Sequence, residues 1–481
     1  MALASRETFS LLQLAQLCGG ELRGGDLSFS ALSIDSRTIN NGDLFVALRG
    51  PNFDGHAFVS AAQQAGAVAL LVEHAVDSEL PQVIVSDSHH ALGELASAWR
   101  MQYPIPVIAV TGSNGKTSVK EMLASILGQQ GEVLATKGNF NNDIGVPLTL
   151  MRINSKHRYA VIEMGANHHG EIRYLTNLAK PTVAMVNNAG PSHLEGFGDV
   201  AGVARAKGEI FEGLQKGGVA VINADDKYTD VWQLLCAEIE CKHFGIDKEA
   251  DVSATDLVRV AGTSTGAGYC FKLHVGAQSI EISLPLPGRH NVMNALAASA
   301  AAMAAGATLN SVRDGLQSLV DVGGRLQIKK SAAGVTVIDD TYNANPASLQ
   351  AGLDVLNESD GEKILVLADM GELGDLAVSL HRQMGEQAGR AGVKRLFTIG
   401  NMAQHTAQAF GAAANHFTTQ DVLISELRRA LTASVPPVTV MVKGSRSMKM
   451  ERVVAALLDD EISLGGVDKD VVYARAVGAG S

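Results

Sequence analysis

The stretch that decides the fold is IAVTGSNGKTS, residues 108–118. Ile105, Val107, Ile108 and Val110 make a short β-branched run that predicts a strand. Gly112, Ser113, Asn114 and Gly115 then turn the chain into Lys116, Thr117 and Ser118. Beyond them Val119, Met122, Leu123, Ile126 and Leu127 recur with the period of one apolar helix face. A strand, a Gly-rich loop and a helix N-terminus in that order form an anion site, because free N–H groups and the positive end of the helix dipole converge on it. In such a site Lys116 reaches the β- and γ-phosphates and the Thr117 hydroxyl a magnesium ion. The full phosphate-loop pattern asks for glycine at Val110, so the match is incomplete. The alternative is an ordinary strand-to-helix turn with a solvated lysine; a nucleoside triphosphate is the better reading.

Working outward, 481 residues suggest about three domains of ordinary size. Hydrophobic residues at 46% and charged residues at 19% place the chain among soluble globular proteins, and 50 glycines suit α/β architecture with many tight loops. A net charge of −11 argues against a broad nucleic-acid surface. The four cysteines (Cys18, Cys236, Cys241, Cys270) show no C-x-x-C spacing, so neither a zinc site nor a disulfide framework follows. LLQLAQL near the N-terminus lacks a basic cluster, and the Ala-rich run 295–305 is too short to span a bilayer. A cytoplasmic protein without a membrane span is expected, acting as a monomer.

Three domains are expected: residues 1–100, 101–322 and 323–481. In the first, Asp35, Ser36 and Arg37 follow an apolar strand, and a Gly-rich loop runs from Gly50 to Gly55. Arg37 either holds a phosphorylated group or sits in a surface ion pair. Tyr103, Pro104 and Pro106 mark the boundary to the nucleotide domain. Within it TKGNFNNDIGVPLTL (136–150) is rich in amides. Glu163 ends an apolar strand, and His193 follows another, where open parallel sheets gather their ligands. His193 is read equally as ligand or structural residue. Lys207 shares a helical face with Val203, Ile210, Phe211 and Leu214. It either snorkels to water or has a lowered pKa and a chemical role. YCFKLHV and SIEISL alternate as short strands do, and Asn291 and Asn294 open a helix where they read an adenine edge or cap the turn. The third domain alternates strand and helix, which implies a parallel sheet. Its first loop carries Asp339, Asp340, Tyr342, Asn343 and Asn345, and the Gly/Ala-rich tail 465–481 predicts little order.

Ten runs, spread over nearly the whole chain, make it resemble the Mur ligases, the ATP-dependent amide-forming enzymes of bacterial cell-wall precursor synthesis. They are DSRTINNGDLFVALRGPNFDGH (35–56), TGSNGKTSVKEM (111–122), NFNNDIGVPLTL (139–150), EMGANHHGEI (163–172), NAGPSHLEGFG (188–198), ARAKGEIF (204–211), PGRHNVMNALAA (287–298), IDDTYNANPASL (338–349), LADMGELG (367–374) and VKGSRSMKME (442–451). TGxxGKT alone marks the superfamily, which shows the same incomplete phosphate-loop pattern. NFNNDIGVP, AKGEIF and DDTYNANP point within it to the member that adds D-alanyl-D-alanine. The DNPR run of the diaminopimelate-adding relative is absent.

The resemblance implies roles position by position. Gly112, Ser113, Asn114, Gly115, Lys116, Thr117 and Ser118 would cradle ATP, with Thr117 and Glu163 on one Mg2+ ion. His193 would bind a second metal, together with Lys207, which relatives carry as a carbamate. Asn291 would contact the adenine, Arg325 the γ-phosphate and Asp340 the ribose, with Tyr342 and Asn345 near the nucleotide. Ser36, Arg37, Asn141 and Asn142 would meet the UDP-linked substrate, and Lys443, Ser445 and Arg446 the incoming dipeptide or phosphate. The implied reaction joins D-alanyl-D-alanine to a UDP-N-acetylmuramoyl-tripeptide, with Lys116, Lys207, His193 and Arg325 as its catalytic groups. Rivals are a sister Mur ligase, a folylpolyglutamate synthase-like enzyme, and a nucleotide-switched binding protein without catalysis.

Overall fold

The computed structural model describes residues 8–261, 267–320 and 323–459; the tail from residue 465 lies outside the described residues. The chain divides into two compact units, residues 1–188, 204–253 and 295–315 in one, and residues 189–203, 254–294 and 316–481 in the other.

The first unit is built on two sheets. In the larger, six parallel strands run in the order Glu132–Ala135, His157–Glu163, Val107–Thr111, Val183–Val186, Val219–Asn223, Glu240–Gly245. Val107–Thr111 is buried along its whole length, as a parallel strand with both faces covered must be. Its register sets Val110 opposite Glu163 on one side and Thr111 opposite Val186 on the other. The Gly-rich loop, Glu163 and Asn187 therefore leave the sheet at the same edge, where the strands end. The helix Lys116–Gly128 follows the loop and buries Val119, Met122, Leu123, Ile126 and Leu127, the face expected from their spacing.

The smaller sheet has five short strands, Glu21–Arg23, Gln82–Ile84, Ala69–Val72, Leu44–Val46 and Leu32–Ser33, with only the first pair antiparallel. Helix Ser88–Met101 joins it to the larger sheet and runs continuously past residue 100. Asp87 starts that helix by accepting the N–H groups of His89 and His90. Near its end Trp99 Nε1 donates to the Ile153 carbonyl (2.9 Å). Buried Arg100 donates to the carbonyls of Ala179 (2.9 Å) and Tyr103 (2.8 Å), and burial pushes its pKa down to about 10.

The second unit contains a six-stranded sheet in the order Gln327–Lys330, Thr336–Asp340, Val438–Lys443, Glu362–Ala368, Arg395–Ile399, Ala414–Phe417. All pairs are parallel except the first. That antiparallel edge strand was not expected, since QIKK has no apolar run to announce it. Val337, Val366, Val440 and Leu427 fill one face of the sheet and Ile338, Leu353, Leu365 and Met441 the other. The alternating segments YCFKLHV and SIEISL pair as an antiparallel hairpin. The expected α/β architecture is what the chain adopts: a small N-terminal sheet, a central parallel sheet with the phosphate loop, and a C-terminal Rossmann-like sheet. Among the described residues no helix is long and apolar enough to cross a membrane.

Candidate active site

The loop after Val107–Thr111 owes its shape to two glycines. Gly115 precedes the helix with φ +78°, a left-handed conformation costly to any residue with a Cβ. A Cβ on Gly112 would stand 3.0 Å from Asn187 Cβ, so glycine is what lets the next strand end approach. Two asparagines to which the sequence reading gave no role hold the loop there. The Asn114 N–H donates to Asn188 Oδ1 (2.8 Å), and the Asn114 carbonyl accepts from Asn187 Nδ2 (3.0 Å) and Asn188 Nδ2 (3.1 Å). Lys116 Nζ donates back to the Gly112 carbonyl (2.7 Å), which folds the lysine over the loop.

Oxygen donors gather beside the loop. The Thr117 hydroxyl donates to Glu163 Oε2 (2.9 Å), and Asn141 Nδ2 donates to Glu163 Oε1 (2.8 Å). Thr136 Oγ1 accepts the Glu163 N–H (3.0 Å) and fixes the strand end. Thr117 and Glu163, expected on one magnesium ion, are thus in contact, and Asn141 joins them. Asn142 Oδ1 accepts the Gly145 N–H (2.9 Å) at the start of the helix Gly145–Leu150.

Lys207 lies in the helix Val200–Gly208 and is buried, so it does not snorkel. Burial holds its amine well below the usual lysine range, and the charge of Lys116 pushes the same way. Two residues on, buried Glu209 accepts the backbone N–H groups of Gly170 and Arg173 at the N-terminus of the helix Glu171–Ala179. That clasp too escaped the sequence reading. A buried second lysine, Lys120, donates to the Thr136 carbonyl (2.8 Å) and pairs with Glu121 (2.6 Å).

In the N-terminal sheet Arg37 forks onto Asp35, with Nη2 2.7 Å from Oδ2 and Nε 2.9 Å from Oδ1. These bonds hold the Asp35 carboxyl down at about 2. Arg37 is 85% exposed, and Ser36 stands half-buried beside it.

The other expected residues fall in the second unit. His193 has φ +52° and begins the short helix Leu194–Phe197, with Nδ1 2.6 Å from Glu372 Oε2. Asn291 Nδ2 donates to the Pro287 carbonyl (2.8 Å), and Asn294 Nδ2 donates to Asn291 Oδ1 (3.2 Å). Arg325 lies over the Tyr342 ring, 4.2 Å from its centroid. Asp340 accepts from buried Lys443 (2.5 Å), whose ammonium also donates to the Asn343 carbonyl (2.9 Å). Lys443 is thereby engaged inside the protein. Asn345 caps the helix Pro346–Asn357 by accepting the Ser348 N–H (2.8 Å), with Pro346 at its first position. Ser445 Oγ accepts the Gly371 N–H (2.7 Å), while Arg446 pairs with Glu451 (3.2 Å).

A parallel sheet, a Gly-Lys-Thr loop at its carboxyl edge and a carboxylate touching the threonine define a phosphate-loop nucleotide-binding protein. Comparison with known proteins narrows that class. Residues 110–302 match the Mur ligase middle domain, 324–446 the glutamate ligase domain of Mur ligases, and 28–100 the domain described as Mur ligase family, catalytic domain. The UDP-N-acetylmuramoyl-tripeptide–D-alanyl-D-alanine ligase of Escherichia coli (strain K12) is 45% identical over 452 residues, covering 94% of this chain and 98% of its own. The crystal structure of MurF from Acinetobacter baumannii matches with a TM-score of 0.89 at 35% identity, over 95% of this chain and 100% of that one. MurF ligase from Thermotoga maritima, solved in complex with ADP, matches with a TM-score of 0.79 at 26% identity, over 89% and 96% of the two chains. The chain belongs to the Mur ligase family.

Proposed function

We propose that this protein is an ATP-dependent ligase that joins D-alanyl-D-alanine to UDP-N-acetylmuramoyl-tripeptide in the cytoplasm, acting as a monomer in peptidoglycan precursor synthesis. The observation that carries the reading is 45% identity, over nearly the full length, to a ligase of that name, on a chain whose phosphate loop, Thr117 and Glu163 converge. A carboxylate does not acylate an amine at neutral pH, because its oxygen is a poor leaving group. The terminal carboxylate of the tripeptide attacks the γ-phosphorus of ATP and releases ADP. The amine of the dipeptide attacks the acyl phosphate, and phosphate leaves as the amide forms. The loop N–H groups and Lys116 stabilise the transferring phosphoryl group.

Thr117 Oγ1, Glu163 and the Asn141 amide are hard oxygen donors, the chemistry that suits magnesium, which takes few protein ligands. Thr117 and Glu163 would hold one such ion, which when bound screens the charge on the triphosphate. His193 would hold a second, with Lys207 carried as a carbamate. Only a neutral amine adds CO₂, and the depressed pKa of Lys207 supplies one. In the second unit Arg325 would serve the γ-phosphate, Asn291 the adenine and Asp340 the ribose, with Tyr342 and Asn345 near the nucleotide. Ser36, Arg37, Asn141 and Asn142 would serve the UDP-linked acid.

A coupled assay tests this. ADP release should require both UDP-N-acetylmuramoyl-tripeptide and D-alanyl-D-alanine, and Lys116→Ala should abolish it. Turnover with free glutamate or diaminopimelate in place of the dipeptide would favour a sister ligase. Nucleotide binding without amide product would favour a switch.

A further inference from the structure

The phosphate loop is held from behind by a run of asparagine amides that the chemistry above does not use. We propose that Asn223, acting through Asn187, is a positioning residue that sets the direction of the loop N–H groups and with it the affinity for nucleotide. This deepens the proposed function and rests on it.

Asn187 leaves the strand Val183–Val186 between two neighbouring strand ends. Its N–H donates to the Thr111 carbonyl (2.9 Å), and its carbonyl accepts from Asn223 Nδ2 (2.9 Å). With both backbone groups pinned, its side chain is aimed: Nδ2 donates to the Asn114 carbonyl (3.0 Å), beside the second donor from Asn188 (3.1 Å). In a trans peptide the C=O and the following N–H point in opposite directions. Turning the Asn114 carbonyl toward Asn187 therefore turns the Gly115 N–H away from it, the orientation a phosphate-binding row of N–H groups needs. Gly112 belongs to the same device, since a side chain there would push Asn187 off the loop. Asn223 is itself fixed, because its carbonyl accepts from Thr229 Oγ1 (2.7 Å). Both asparagines are buried, so water cannot replace a lost donor cheaply.

Asn223→Asp keeps the size of the side chain and removes the donor; Asn223→Ser is the milder variant should the aspartate impair folding. With the full-length protein and magnesium in excess, each should raise the KM for ATP and the Kd for ADP on the order of tenfold. The KM for the tripeptide substrate should stay put, and kcat at saturating ATP should change by about twofold at most. A purely structural asparagine would lower Tm and the active fraction but leave the KM for ATP alone, and that result in both variants overturns the proposal. Lys116→Ala serves as the control. If it weakens ADP binding while the Asn223 variants do not, the relay is refuted and the nucleotide site stands. If it too leaves ADP binding unchanged, the nucleotide reading of the loop falls and the relay with it.

Discussion

Glu209 offers a measure of how firmly the segment carrying Lys207 is held. Glu209 is 7% exposed, and its carboxylate accepts the Gly170 N–H with both oxygens at 3.0 Å and the Arg173 N–H at 3.2 Å. These are free N–H groups of the first turn of the helix Glu171–Ala179, where the helix dipole also favours negative charge. A hydrogen bond to a charged group contributes roughly 1.5–3 kcal/mol and the dipole about 0.3–1 kcal/mol. The two contacts share one carboxylate and do not add in full, so Glu209→Ala should destabilise the first unit by about 3 kcal/mol. Glu209→Gln keeps a carbonyl acceptor but loses the charge, and should cost roughly half of that.

The assay follows from where the tryptophans lie. The chain has two, Trp99 and Trp232, both buried and both in the first unit, so their fluorescence in urea follows that unit alone. Trp232 is the closer reporter, since its Nε1 donates to the Ala204 carbonyl (2.9 Å) in the helix that carries Lys207. Midpoint and slope together give the stability change. Molar salt should shrink the Glu209→Gln deficit by screening the dipole term. Glu212→Gln, which disturbs only the exposed pair with Arg173, should cost far less. A Glu209→Ala protein within about 0.5 kcal/mol of the parent, where charged hydrogen bonds should tell, would refute the reasoning.

Thr117→Val removes the hydroxyl on Glu163 while keeping the side-chain shape; kcat/KM should fall on the order of a hundredfold or more with little change in Tm, as steady-state kinetics would show. Lys443→Met leaves Asp340 buried without its cation and should cost about 3–5 kcal/mol, whereas adding Asp340→Asn should recover much of it; urea unfolding by circular dichroism checks both. Burial drives His290 down to about 4 from its usual 6.5, with Asp340 and Asp354 opposing and Lys443 assisting. Between pH 6.5 and 4 the unfolded chain binds a proton the folded one does not, so stability falls as pH falls, by up to about 1.4 kcal/mol per pH unit and roughly 3 kcal/mol in all. His290→Gln should flatten the pH dependence over that window and leave it unchanged above pH 7.

Why some of this was readable from the sequence and some not has a physical cause. The strand, loop and helix around Gly112–Thr117 announce themselves because periodicity, glycine and the lysine each restrict residue type independently, and all three agree. Lys207 stood out as an anomaly, a cation on an apolar face, and its burial rules out the snorkelling alternative. Glu21–Arg23 and Gln82–Ile84 in the small sheet, three residues each, offer too little pattern to place from sequence, and QIKK at 327–330 has no apolar run to mark it as a strand. Asn187, Asn188, Asn223 and Glu209 were silent for a different reason. They act on backbone groups distant in sequence, and nothing in the local pattern of a side chain reveals which carbonyl or N–H it will meet. Arg37 marks the opposite limit: its motif was conspicuous, and its partner Asp35 lies only two residues away. Residues whose partners are local, or whose partner is a class of ligand, are thus legible early. Those that aim the backbone toward the ligand emerge only when register has brought the strand ends together, and it is on these that the geometry of the phosphate loop depends.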